Sequence, residues 1–163
     1  MKTLLLLRHA KSSWDDPELA DHERPLNKRG KINAPRMGRL LHELELTPDL
    51  ILSSTARRAR QTAEIVADTS HYQDEVRLDG ELYAAPAETI IAVLQGVEDT
   101  VSSVMVVAHN PGLEELLEAL TGEASPLPTA ALAQISLPIE RWRELSDEVE
   151  GRLVNVWRPK DLP

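Results

Sequence analysis

Two histidines and two arginines are the residues of this chain best suited to chemistry. His9 and His109 each follow a short apolar run, Leu4–Leu7 with Arg8 in one case and Val104–Ala108 in the other. Arg58 stands near the start of a segment of helical composition, just after a third apolar run, Leu50-Ile51-Leu52-Ser53. Such runs read as buried strands of a parallel sheet, and in open α/β sheets ligands sit beyond the carboxyl ends of the strands. The two imidazoles and the guanidinium groups of Arg8 and Arg58 are therefore expected at one sheet edge. Together they make a poor metal site. Zinc takes three or four His, Asp, Glu or Cys ligands, and arginines repel the cation. A phosphoryl group suits them better, because guanidinium forks match its oxygens bidentately and a neutral imidazole is a competent nucleophile. Repulsion from Arg8 and Arg58 favours the neutral form of a nearby histidine, whereas a histidine touching a dianionic phosphate tends to be protonated. Which histidine attacks is left open by residue chemistry alone. Taken singly, Arg8-His9 is a common surface dipeptide and His109 reads as a core histidine beside a helix; the joint occurrence favours a site.

Bulk composition narrows the classes. With 163 residues, 42% of them hydrophobic and 28% charged, one globular domain spanning 1–163 is expected. There is no Cys, which excludes disulfides, thiolate metal sites and a cysteine nucleophile. The net charge of -9, with no long basic block, argues against nucleic-acid binding. No apolar run reaches the ~20 residues of a membrane span, and no leader-like segment stands at the N-terminus. A cytoplasmic protein without membrane partners is the expectation, with no cofactor and no metal.

The elements that must position these groups alternate between strand and helix, which indicates an α/β domain with a largely parallel sheet. Strands are expected at Thr3–Leu7, Leu50–Ser53, Val76–Leu78, Val104–Ala108, Ala133–Ile139 and Arg152–Trp157, the last two at or near an edge. A helix is expected from Lys28 to Glu45, capped by Asn27, with Ile32, Met37, Leu40, Leu41 and Leu44 inward. Pro35 implies a kink, or a helix that begins only near Ala34. Further helices run from Arg57 to Asp68 and from Ala85-Pro86 to Gly96. A fourth is opened by Asn110 as cap and Pro111 at the first helical position, with Glu114 and Glu115 at the positive end of the dipole and Gly122 as the stop. Trp14, Trp142 and Trp157 fit core or edge packing, or a partner surface.

Three stretches resemble the histidine phosphatase superfamily: Leu7-Arg8-His9-Ala10, Ser54-Thr55-Ala56-Arg57-Arg58-Ala59-Arg60-Gln61-Thr62 and Ala108-His109-Asn110-Pro111-Gly112. Within it, Arg8 through Trp14, Arg24-Pro25-Leu26 and the small size are similar to the SixA-type phosphohistidine phosphatases. The resemblance implies a phosphoglycerate-mutase-like three-layer α/β/α sandwich with a mostly parallel central sheet, minimal and without a large lid insertion. It implies that His9 is the nucleophile of a covalent phosphohistidine intermediate, and that Arg8, Arg58 and His109 bind the phosphoryl oxygens. Arg24 matches a further phosphate-contacting arginine. Arg58 is chosen over Arg57 because it precedes Ala, with Gln-Thr three residues on. Ala10 departs from the superfamily's usual glycine. Glu81, in Asp79-Gly80-Glu81-Leu82-Tyr83, stands near the place where phosphoester-cleaving members keep an acid, and a solvated turn glutamate is an equal reading. The implied substrate is a phosphorylated protein, such as a phosphohistidine-carrying domain of a phosphorelay. Rival readings are a phosphoester phosphatase for small metabolites or phosphoproteins, a noncatalytic phosphate-binding module, and a mutase-like transferase.

Overall fold

The computed structural model describes residues 1–163. Three central strands carry the alternation that a sheet covered on both faces demands. In β1 (Lys2–Arg8), Leu4 and Leu6 enter one core while Leu5 and Leu7 enter the other. β2 (Leu50–Ser53) and β4 (Ser103–Ala108) divide their side chains in the same way. The unbroken apolar runs follow from this, since neither face meets water. Each fully buried leucine contributes on the order of 1.5–3 kcal/mol. The two remaining full strands are β5 (Leu132–Leu137) and β6 (Arg152–Trp157), and β3 (Arg77–Leu78) is a two-residue edge.

The single six-stranded sheet has the order β3-β2-β4-β1-β5-β6. β3, β2, β4 and β1 are parallel neighbours, and β5 runs antiparallel to both β1 and β6. Helices α1 (Lys28–Glu43) and α2 (Arg57–Thr69) cover one face; α3 (Ala87–Gln95) and α4 (Gly112–Thr121) cover the other. This is the mostly parallel three-layer sandwich, without a large insertion. No helix is long and apolar enough to cross a membrane.

β6 forms one edge of the sheet with β5 beside it, as expected, and β3 forms the other edge. Several expectations need correction. Helix α1 runs through Pro35 from a start at Lys28; the missing N–H removes one backbone bond without ending the helix. Its buried face is Gly30, Ala34, Met37, Gly38 and Leu41, while Ile32 and Leu44 are exposed. Ile32 lies about 140° from Met37 around the axis at 3.6 residues per turn, so the two cannot share a face. Small residues take the inner positions because the backbone there comes close. A Cβ on Gly30 would stand 2.2 Å from the Lys11 carbonyl oxygen. That contact seats the N-terminus of α1 against the loop after β1, with Asn27 N–H donating to the same oxygen at 3.0 Å.

Gly30→Ala is expected to cost about 2 kcal/mol or more, because the carbonyl it meets belongs to the backbone and cannot step aside. A lower urea midpoint with unchanged slope would show this, and a wild-type midpoint would contradict the packing described.

Candidate active site

The register of β1 on β4 builds the centre of the site. Arg8 is paired with Ala108, so the next residue on each strand, His9 and His109, leaves the sheet at the same level. His9 N–H donates to the Ala108 carbonyl at 3.2 Å, and the two imidazole centroids are 5.2 Å apart. One strand further, Ser54 N–H donates to the Val107 carbonyl at 2.9 Å, and Ser54 Oγ lies 2.8 Å from His109 Nε2. Ser54 is thus a hydrogen-bond partner of the histidine; Ala56 holds the N-cap position of α2.

His9 has a defined tautomer. Its Nδ1 lies 2.8 Å from the Ala10 carbonyl, which can only accept, so Nδ1 carries the proton and Nε2 holds the lone pair. Ala10 N–H is bound in turn by Thr62 Oγ1 at 3.0 Å, and Thr62 donates to the Arg58 carbonyl at 2.7 Å. The loop bearing the imidazole is thereby tied to the first turn of α2. Burial, with the His109 and arginine charges adding to it, lowers the His9 pKa to about 3. His109 is lowered to about 4, again mainly by burial, then by Arg58. Repulsion from the arginines acts in the expected direction, but desolvation outweighs it.

Arg8, His9, Arg24, Arg58 and His109 line one cavity of about 290 Å³, with Lys11, Ser12, Trp14, Asp21, Tyr83, Ala84, Asn110 and Thr129. Of the larger depressions elsewhere on the surface, one has no cation in its lining and another gathers Arg8, Arg158 and Lys160, but neither contains a histidine. Arg8 donates from Nη1 to the Leu127 carbonyl at 3.1 Å. That carbonyl is fixed because Asn110 Nδ2 donates to it at 2.8 Å, and Leu127 N–H donates to Glu114 Oε2 at 2.7 Å. Asn110, expected as the cap of α4, braces Arg8 instead, and Pro111 takes the N-cap position; Glu114 stands in the first turn as expected and joins the same brace.

Asp21 is the residue the sequence reading missed. Its carboxylate takes Arg24 Nη1 and Arg58 Nη2 at 3.0 Å each and the Tyr83 hydroxyl at 2.6 Å. Arg58 Nη1 also donates to the Asp21 carbonyl at 2.7 Å. The Tyr83 hydroxyl, followed by the two arginines, holds the carboxyl well below the usual carboxylate range; the same bond pushes the Tyr83 phenol up. Asp21 spends two of the five N–H groups of Arg58, so three stay free for an anion. Tyr83 stands edge-on to His109, with centroids 5.5 Å apart. No signal in an acidic loop marks one aspartate among its neighbours for this task.

Glu81 does not reach the cavity. The short 3-10 turn Gly80–Leu82 buries Leu82 and leaves Glu81 exposed, while Tyr83 and Ala84 take the lining positions. Arg57 is half-buried outside the lining. No group of three or more His, Asp or Glu side chains is arranged to hold a metal ion. Trp142 is fully buried and donates to the Val101 carbonyl at 2.7 Å, Trp157 packs half-buried on the edge strand, and Trp14 is exposed at the cavity.

A sheet edge bearing two adjacent imidazoles among arginines suits a phosphoryl group, and comparison with known proteins gives the family. The family model for the histidine phosphatase superfamily (branch 1) matches residues 4–84. An uncharacterized chloroplastic protein of Arabidopsis thaliana is 33% identical over 156 residues, covering 88% of this chain and 70% of that one. The SixA protein of Agrobacterium tumefaciens superposes with a TM-score of 0.83 at 33% identity, covering 97% of this chain and 98% of the other. A structure of the protein histidine phosphatase SixA complexed with tungstate gives 0.83 at 25% identity and 99% coverage of both. A phosphoglycerate mutase of Mycobacterium leprae is 29% identical over 161 residues, which span 56% of its length. The chain belongs to the histidine phosphatase superfamily.

Both site histidines are expected to stay uncharged from pH 8 down to about pH 5, since each native pKa lies below the ordinary ~6.5. Ring-proton chemical shifts followed by NMR would be flat for His9 and His109 over that range. Midpoints near 6.5 would contradict the burial described. By linkage, the unfolded chain alone binds protons at these positions below pH ~6.5, so stability falls as the pH drops from there toward 4.

Proposed function

We propose that the protein is a metal-independent phosphatase that removes the phosphoryl group from phosphohistidine on a protein, through a covalent intermediate on His9. The observation that carries this is the neutral His9 imidazole, with Nδ1 committed to the Ala10 carbonyl and Nε2 free beside His109 and the arginines. In the first step the Nε2 lone pair forms a bond to phosphorus as the substrate P–N bond breaks. Arg8, Arg24, Arg58 and His109 hold the phosphoryl oxygens, where preorganised donors stabilise developing charge. In the second step water attacks phosphorus and gives up a proton to solvent. The P–Nε2 electron pair returns to His9, and phosphate departs. A divalent cation would meet only repulsion from these guanidinium groups.

Leaving-group chemistry favours the nitrogen-linked substrate. An alkoxide leaving from an ester needs a proton. Asp21 is held ionised and the Tyr83 proton is held more tightly than usual, while Glu81 stands outside the cavity lining. Phosphohistidine protonated on its second ring nitrogen departs as neutral imidazole and requires no donor. Exposed lining residues, Lys11, Trp14, Asp21 and Ala84, leave the cavity open, which suits a side chain presented by another protein. The similarity to a protein histidine phosphatase supports the same reading.

A side-by-side assay tests it. Without metal and with chelator present, kcat/KM on a phosphohistidine protein is expected to exceed that on alkyl phosphoesters by at least about 100-fold, an allowance of two proton-transfer decades. Arg58→Ala should lower it by about 10²–10³, and Glu81→Gln should leave it within about twofold. Preference for esters, or dependence on a divalent cation, would overturn the proposal.

A further inference from the structure

Trp14 is a lining residue that the proposed chemistry does not use. At 72% exposure it leaves in water the kind of apolar surface that Trp142 buries completely. It is nevertheless held in place. Arg24 Cζ lies 3.2 Å from the centroid of the Trp14 ring. That guanidinium is itself fixed in its plane by the Ser13 carbonyl at 3.0 Å, Asp21 Oδ1 at 3.0 Å and Ser12 Oγ. An indole stacked on a clamped cation is a rigid plate with one face covered and the other open. The plate belongs to the same cavity as His9 and His109.

In-line displacement at phosphorus places the leaving group opposite the attacking His9 Nε2, toward the mouth of the cavity. The exposed residues there are Lys11, Trp14, Asp21 and Ala84. Only Trp14 offers a flat apolar surface. An aliphatic leaving group gains little from such a plate, whereas a planar ring gains offset stacking beyond its simple burial.

We propose that Trp14 is a specificity-determining residue that stacks against a planar ring bonded directly to phosphorus, the imidazole of phosphohistidine being the natural case. The identity of that ring rests on the function proposed above; the stacking does not. The residue selects by the shape of the leaving group, while Arg8, Arg24, Arg58 and His109 read the phosphoryl oxygens common to all substrates.

Nonhydrolysable probes separate the two claims. Phenylphosphonate carries a planar ring directly on phosphorus, as phosphohistidine does, and methylphosphonate carries none. By calorimetry, wild type is expected to bind phenylphosphonate more tightly than methylphosphonate. Trp14→Ala should lower that ratio about three- to tenfold, as expected for loss of one aromatic pair, and Trp14→Phe should restore most of it. Methylphosphonate affinity should change by less than about twofold in both variants, within the range of an exposed-surface substitution, which would show that Arg24 remains in place. An unchanged ratio in Trp14→Ala would overturn the proposal, and so would an equal loss of affinity for both probes. Failure of wild type to hydrolyse phosphohistidine, with the ratio still falling in Trp14→Ala, would remove the imidazole as the ring and leave the plate standing. Full phosphohistidine turnover with an unchanged ratio would do the reverse.

Discussion

The parallel pairing of Arg8 with Ala108 is the constraint on which the site depends. Residues adjacent in register on neighbouring strands leave the sheet side by side, and here they are His9 and His109. Nothing else in the chain could bring residues a hundred positions apart to a ring separation of 5.2 Å with so little freedom. The leucines and valines of β1 and β4 secure that register, because a slip of one residue would exchange the side chains between the two cores. Packing on both faces is therefore also what aligns the chemistry.

Electrostatics in the cavity are arranged around burial and one carboxylate. Desolvation keeps both imidazoles neutral, so a nucleophilic lone pair exists without a general base to uncover it. Asp21 binds Arg24, Arg58 and Tyr83 at once. It fixes two long cationic side chains that would otherwise lose considerable rotamer freedom on meeting an anion. It also lowers the net positive charge of the cavity. The ionised state of Asp21 makes it a poor proton donor, and that property separates leaving groups that carry their own proton from those that do not.

Much of this was legible in the sequence. The apolar runs at Leu4–Leu7, Leu50–Leu52 and Val104–Ala108 read as buried parallel strands, and Arg8, His9, Arg58 and His109 at or beyond their ends do meet in one cavity. Asn27 was readable as a cap because its acceptor acts within three residues, on Gly30 N–H. Contacts between distant segments were not readable. Asp21 in an acidic loop, Tyr83 after a turn, and Asn110 with Glu114 bracing the Leu127 carbonyl act through partners up to 62 positions away. Local pattern carries no trace of such pairs. Ile32 and Leu44 show the other limit: apolar type alone points them inward, whereas small residues occupy the inner face where Lys11 and Thr69 press against the helix.

The central claim is that His9 presents Nε2, and only Nε2, to phosphorus because Nδ1 is committed to the Ala10 carbonyl. The most direct measurement is to quench the enzyme during turnover in alkali and identify the phosphohistidine isomer by phosphorus NMR and peptide mass spectrometry. Phosphorus on Nε2 of His9 is the predicted result. Phosphorus on Nδ1 of His9, or on His109, would contradict it.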